Sequence, residues 1–564
     1  MLQNYKKIFV CIFLCLFPYL FFAKSGNDTQ IIKSGHWIYE DLYTICTETK
    51  RTQFLSNQPL TIGELKFYLR DIPYDELSDA GRNLYEKIDA FLNKNEDFFS
   101  EDELRFYINP YAGPEVYYKS NPDIDWTFAY NYKNAFLTIP VLIGFSNYIT
   151  IELDPQIGKN YPSMQEWWNF TNIPYAGNQF EFLTPRFAYG STGAAFEKWG
   201  INFHVGKEGM KIGQSEFGSI IYNDTFETDA YFQINLFTKW LKYTMDVVQV
   251  CNTKYFYLHQ LDIRLFRNLK FGMIEGSLLN SSFELRYLNP FMLMHQYGSW
   301  MDYDYQMTDI ERELYGEGHF CAYLAFTLEY TPVRNVRLYG LYAQNEILDL
   351  GGSRSDAALS VPDSLGGQVG VEISIPLDFG YLKPYTEVVY TSPYLYVKQS
   401  PDWSLFRTRH DMLTGENISS WMGLPYGPDS FGIKSGVKLL STGNWKAGGS
   451  YTLLAQGENS FSIFDEKALI DGSEVYVYYP SVEYDLADSE EEKIAARDKG
   501  RYMWLTGIPE IKHQFTLYAS YDLTQNLNIY SQASYSFVLN ARHTQGYFAH
   551  GIELIFGFEY SLLK

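Results

Sequence analysis

Ile552-Glu553-Leu554-Ile555-Phe556-Gly557-Phe558-Glu559-Tyr560-Ser561-Leu562, two residues from the end of the chain, is the stretch whose reading decides the fold. Ile552, Leu554, Phe556, Phe558, Tyr560 and Leu562 share one face of an extended strand, while Glu553, Ile555, Gly557, Glu559 and Ser561 share the other. Strict period-two alternation over about eleven residues matches the length a tilted strand needs to cross a bilayer. Upstream, Phe515, Leu517, Ala519, Tyr521 and Leu523 alternate with Thr516, Tyr518, Ser520 and Asp522. After Thr524-Gln525-Asn526 the pattern resumes, with Leu527, Ile529, Ala533, Tyr535, Phe537 and Leu539 opposing Asn528, Gln532, Ser534 and Asn540. These are long strands joined by a very short turn.

A soluble sandwich also alternates, but its strands usually run about five or six residues. Here the apolar faces are longer, and the opposite faces carry Gly, Ser, Thr, Gln and Glu, as a wet lumen requires. Similar segments recur at Trp126–Tyr132, Ala230–Phe237, Tyr243–Val250, Tyr255–Phe266, Phe271–Leu278, His319–Tyr330, Val336–Gln344, Gln368–Ile375, Tyr385–Tyr390 and Ile433–Leu440. The expectation is an all-β transmembrane barrel of about 16–20 antiparallel strands with a small N-terminal α-helical segment. Closure follows because lipid cannot hydrogen-bond an open sheet edge. Long insertions at 155–178, 346–365, 398–430 and 456–508 would stand on one side of the membrane and short turns on the other. The last contains Asp488-Ser489-Glu490-Glu491-Glu492-Lys493, a solvated loop or short helix. Many such barrels end in Phe; this one ends Leu562-Leu563-Lys564, an atypical signal for the barrel-assembly machinery.

Residues 1–25 read as a secretory signal, with Lys6 and Lys7 before an apolar run from Ile8 to Phe22 and small residues at Ala23 and Ser25. An uncleaved anchor is the competing reading, but the run is shorter than the roughly 20 residues a spanning helix needs. The leader carries three of the 45 basic residues, so its loss takes the net charge from −22 to −25. That surface excludes nucleic acid, whose phosphates call for a basic face. Cys46, Cys251 and Cys321 remain, too few and too scattered for a disulfide framework or a metal knuckle. Residues 26–102 have helical spacing instead. Ile38, Leu42 and Ile45 share a face; Thr61 and Glu64 suggest a capping box ahead of Leu65, Tyr68 and Leu69; Leu84, Ile88, Phe91 and Leu92 mark a third helix. The expected domains are a signal at 1–25, a helical periplasmic segment at 26–102 and an outer-membrane barrel at 103–564.

Enzymatic signatures are missing. Gly213-Gln214-Ser215-Glu216-Phe217 starts like a nucleophile elbow but lacks its closing glycine. No histidines pair at i+4, and no phosphate loop or dinucleotide fingerprint occurs. The expectation is therefore a non-enzyme without cofactor or metal, although residues on separate strands could still assemble a site.

Several motifs resemble the capsule-assembly Wzi family of outer-membrane proteins. They are Trp37-Ile38-Tyr39 through Glu64-Leu65, Gly206 to Ser219, His259 to Arg264, Gly272 to Glu275, Tyr287-Leu288-Asn289-Pro290 and Tyr339 to Asp349, spanning roughly 34–350. The resemblance implies a barrel that binds or holds surface polysaccharide without catalysis. The alternative, from the lumen-facing polar residues alone, is a diffusion porin or solute channel, and the long loops would also suit an adhesive surface protein. Outer-membrane lipid is the expected partner in every case.

The polar cluster singled out is Asp262, Arg264, Glu275, Glu284 and Arg286. Leu261, Ile263 and Leu265 leave Asp262 and Arg264 on the opposite face of one strand; Phe283, Leu285 and Tyr287 would do the same for Glu284 and Arg286. A charge against mid-bilayer lipid costs about 2–4 kcal/mol for Arg, so these side chains should face the lumen. There they would form either an ion-pair lattice or a track for sugar hydroxyls and carboxylates.

Overall fold

The computed structural model describes residues 27–563 except 95–98, 102–103, 127–132, 147, 160–168, 184, 224–227, 292, 295–306, 317–319, 347–359, 411–414, 416 and 461. The leader at 1–25, residues 127–132 of the expected strand at Trp126–Tyr132, and much of the expected insertions at 155–178 and 346–365 lie outside the described residues.

The alternating segments close into one antiparallel barrel. Joined across short breaks such as Pro110 and Pro140, its staves are 104–119, 137–145, 149–158, Glu181–Leu183 with Ala188–Ala195, Trp199–Lys207, Ala230–Thr238, Leu241–Cys251, Lys254–Phe266, Leu269–Asn280, Phe320–Val333, Val336–Gln344, 365–377, Gly380–Thr391, Ser430–Ser441, Trp445–Gln456, Glu510–Thr524, Leu527–Leu539 and Phe548–Ser561. That makes eighteen long staves among the described residues, within the expected range, and the short strands Phe99–Glu101 and Asn169–Thr171 pair onto the first of them. The last closes on the first, with Glu553 opposite Lys119 and Gly557 opposite Glu115. The C-terminal alternation resolves as read: Ile552, Leu554, Phe556 and Phe558 are exposed outward, and Glu553 and Ile555 are buried inward. Phe515, Leu517, Tyr521 and Leu523 continue the same exposed outer belt, which is the lipid-facing surface of a transmembrane barrel.

Short turns at 196–198, 239–240, 267–268, 334–335, 378–379, 442–444 and 525–526 gather at one end. The long connections 208–229, 281–319, 345–364, 392–429 and 457–509 leave from the other. Within 457–509, Ser489 and Glu492 form a reciprocal cap on the helix Glu490–Arg501, which settles the charge run as helical.

Three helices precede the barrel: α1 (Trp37–Glu48), α2 (Ile62–Leu69) and α3 (Asp79–Leu92). Thr61 caps α2 by accepting the Glu64 N–H at 3.2 Å. The Glu64 carboxylate makes no return bond; it is buried against Lys242 at 2.7 Å and Tyr68 at 2.7 Å. A barrel-wall lysine thus outbids the local capping box. Ile38, Leu42, Leu65, Leu84 and Ile88 pack on one another, with Tyr381 and Leu440 of the wall completing the core.

These helices fill the short-turn mouth. The Thr52 N–H donates to Arg267 O at 2.9 Å and the Asn335 N–H to Thr47 O at 3.0 Å, both acceptor and donor lying in or beside short turns. Residues 57–58 then reach up the lumen, where Asn57 and Gln58 pair with Ile212 and Lys211 of the in-folded connection 208–229. Above that, Phe217, Ile221, Tyr396, Trp421, Val475 and Tyr478 belong to a buried core built by the long connections. The lumen is therefore filled from both ends.

Candidate functional site: a polar groove beside the plug

The filling is eccentric. On staves 199–391 the lumen-facing side chains are sealed: Asn202, Gln233, Lys242, Gln260, Lys270, Arg337, Lys383 and Glu387 are all buried. Many are charged, and they mate with the plug or with each other. Lys270 meets Glu329 at 3.3 Å and donates to Ser56 at 2.9 Å. Lys383 meets Glu372 at 3.1 Å and Glu40 of α1 at 3.6 Å. Burial alone would raise the Glu40 carboxyl, but Lys438 and Lys383 hold it down at about 2.

Staves 430–561 differ. Along their middle the inward residues Ser450, Gln514, Thr516, Tyr518, Ser520 and Gln532 are neutral and only half-buried, while inward charges stand at the margins of this wall, Lys434 and Lys438 against Glu216 on one side and Glu553 and Glu559 on the other. The neutral groups bond chiefly to each other, Gln514 donating to Ser536 at 3.2 Å and Thr516 sharing a hydrogen with Ser534 at 3.0 Å. The face is a ladder of hydroxyls and amides running along the barrel axis. Lys119, Asn121, Asp125, Ser536 and Glu553 line a cleft at its long-loop end. Beside that cleft Tyr117 stacks on Phe170 at 4.3 Å, and the Lys133 ammonium lies 5.4 Å from the half-buried Trp126 ring. Hydroxyls, amides and an aromatic face suit sugar hydroxyls and pyranose rings.

The residues singled out from sequence fall elsewhere. Asp262 and Arg264 do face the lumen, but beneath the plug. Arg264 donates to Asp71 at 2.9 Å, Gln53 at 3.4 Å and Lys239 O at 3.2 Å, and Gln260 donates to Asp262 at 2.7 Å. Lys239 and Arg51 also approach Asp71. Arg264 thus belongs to an ion-pair lattice between the wall and the helices. Glu275 faces outward, opposite His259, because Lys270 and Gly272 take the inward register of its strand. Glu284 and Arg286 are not in a strand at all. Leu285–Leu288 is a 3-10 turn on the outer wall, and Arg286 pairs locally with Glu284 at 2.5 Å. Tyr287 overrides the strand pattern by burying itself against Val247 and Tyr257.

Cys46, Cys251 and Cys321 are all unpaired. Among the described residues no cluster of His, Cys, Asp and Glu could hold a metal ion.

No protein-family model and no curated sequence matches the chain. Among solved structures it is similar to Wzi, described as an outer membrane protein involved in group 1 capsule assembly in Escherichia coli and a carbohydrate binding β-barrel. That likeness has 11% identity and a TM-score of 0.55 over 93% of this chain and 98% of that one. OprD from Pseudomonas aeruginosa aligns at 10% identity over 83% and 96% of the two chains, with a TM-score of 0.38. An anion-selective porin from Comamonas acidovorans aligns at 9% over 82% and 100%, with a TM-score of 0.33. At such identities the first likeness is one of fold: the chain folds as a β-barrel of the kind seen in Wzi.

Proposed function

We propose that this chain is an outer-membrane protein that holds surface polysaccharide, with the helices 37–92 on the periplasmic side and the long connections outside the cell. The observation that carries the reading is the eccentric filling of the lumen. A diffusion pore calls for a continuous water path, whereas here helices occupy one mouth and a hydrophobic loop core the other. What stays half-open is a wall of hydroxyls and amides, Ser450, Gln514, Thr516 and Gln532. Neutral hydrogen-bonding groups fit a glycan better than they would screen an ion, and the net charge of −22 offers an anionic polymer no general attraction. Recognition would therefore be short-range. The described architecture of Wzi as a carbohydrate binding β-barrel agrees in kind.

The same groove is what favours the second reading, a narrow solute channel. Planar-bilayer recording separates them: the polysaccharide reading expects no stable porin-sized conductance from the refolded chain, together with retention of a capsule-type polymer. Stable open channels without polymer retention would establish the channel instead.

A further inference from the structure

Residue 281 leaves the top of the strand Leu269–Asn280, and the chain turns back down the barrel's outer wall. Register fixes the side. Gln260 faces inward, bonded to Asn57 of the plug at 3.0 Å, so Tyr257 faces outward. Lys270 faces inward to Ser56, so Leu279 faces outward. Tyr287 and Met294 are buried against Val247, Tyr257 and Leu279 on that outer face. The Glu284 N–H donates to the Tyr257 hydroxyl at 2.8 Å, and Tyr287 O lies 3.0 Å from His259 Nε2.

Among the described residues nothing covers the other side of this segment. Phe291 is 93% exposed, Leu285 74% and Leu293 53%. The charged side chains of 281–294, Glu284 and Arg286, pair with each other, so the segment carries no net charge outward. Its height matters. His259 stands seven residues above Phe266, the exposed aromatic at the short-turn edge. At about 3.3 Å per residue and a tilt of about 40°, that is roughly 18 Å up a lipid-facing band about 25 Å tall. Around it on the outer face stand the exposed Val205, in register with Tyr257 through Phe232 and Val247, and Met273, opposite Leu261 two residues below His259, with Glu275 beside His259 as a charge among them; the segment's apolar side thus continues upward from the lipid-facing belt.

We propose that residues 281–291, with Leu293 and Met294, form an outer-wall paddle whose Leu285, Phe291 and Leu293 insert among the acyl chains of the leaflet on the long-loop side. Tyr287 is the hinge pin that fixes the paddle to the wall.

Site-directed spin labelling in full-length protein tests this. Cys46 and Cys321 are buried and Cys251 is exposed, so Cys251→Ser gives a background without an accessible thiol. Labels placed by Phe291→Cys and Leu285→Cys are compared, in phosphatidylcholine/phosphatidylglycerol nanodiscs, with Leu517→Cys on the belt and Glu491→Cys in the long connection 457–509. Relative collision with oxygen and with a water-soluble nickel chelate is then measured. The expected result is an oxygen-to-nickel ratio shifted away from that at 491 to the value at 517. A nickel-dominated ratio equal to that at 491 would place the paddle in water and overturn the proposal. Low collision with both reagents would mean that a protein, such as a second copy, covers the segment, and would overturn it equally. The two positions read independently, so whichever variant folds decides.

Discussion

Replacing Asp71 by Asn removes the carboxylate that Arg264, Lys239 and Arg51 share while keeping its shape. The Arg264 side chain has no exposed surface and loses the carboxylate it meets at 2.9 Å. Breaking a buried pair costs about 3–5 kcal/mol because the surviving charge is left uncompensated. Two features pull the value to the lower end. Arg264 keeps acceptors at Lys239 O and Arg267 O, and the Lys239 side chain is 42% exposed, so it returns to water at little cost. About 3 kcal/mol remains, roughly a hundredfold in the opening equilibrium of the plug. Hydrogen exchange on the folded protein in nanodiscs reads it directly. Amides of α1–α3 should exchange about a hundredfold faster, and those of Glu510–Thr524 and Leu527–Leu539 should be unchanged. Unaltered exchange in the helices would refute the clamp, and equal loosening of both regions would mean that plug and barrel are one cooperative unit.

Acid should release the same clamp. Burial alone would raise Asp71, but Lys239 and Arg264 hold its carboxyl below the ordinary range, and Glu40 lies at about 2. Depressed carboxyls contribute their full stability above the unfolded value of about 4 and lose it as pH falls through the folded value. Protection of α1–α3, taken relative to the intrinsic exchange rate at each pH, should therefore stay flat from pH 6 to about pH 4 and fall toward pH 2; a flat profile throughout would contradict this. On the outer belt, Phe556→Arg should lower the heat-resistant folded fraction by the equivalent of about 2–4 kcal/mol, whereas Glu559→Gln, inward and half-buried, should be mild. Equal tolerance would mean that the belt does not face lipid. For orientation, Ile494→Cys in the 47% exposed helix position should react with an impermeant thiol reagent on intact cells of a Cys251→Ser strain. Labelling only after permeabilisation would invert the topology.

The barrel was legible because its signal is local. Ile552 to Leu562 states length, period and lipid face within one strand, and the strands before it, such as Glu510–Thr524, repeat it. The helices were legible for the same reason, since Leu84 and Ile88 share a face whatever surrounds them. The groove was not, because it depends on which part of the wall the plug leaves uncovered, and that is set by contacts far apart in sequence, such as Glu64 with Lys242 and Asp71 with Arg264. A usable signal did exist. Inward charges such as Lys242, Arg264, Lys270 and Lys383 mark the wall that mates with the plug's own charges, because a buried charge must be paired. The open wall shows instead an unbroken inward run of neutral groups, Gln514, Thr516, Tyr518 and Ser520, since single neutral residues such as Gln233 and Gln260 also occur on the sealed wall. Strand periodicity was likewise misleading at Phe283 to Tyr287, where alternation is real but the hydrophobic residues serve a short turn packed outside the barrel.

Polymer retention by refolded protein is the measurement closest to the central claim. Wild type, a Gln514→Ala/Gln532→Ala double variant and Arg264→Gln would be matched for heat stability and immobilised with capsule-type polysaccharide. The groove reading predicts retention by wild type, its loss in the double variant and its survival in Arg264→Gln, since Arg264 is sealed beneath the plug. Retention that survives in the double variant and disappears in Arg264→Gln, or no retention by wild type, would contradict it.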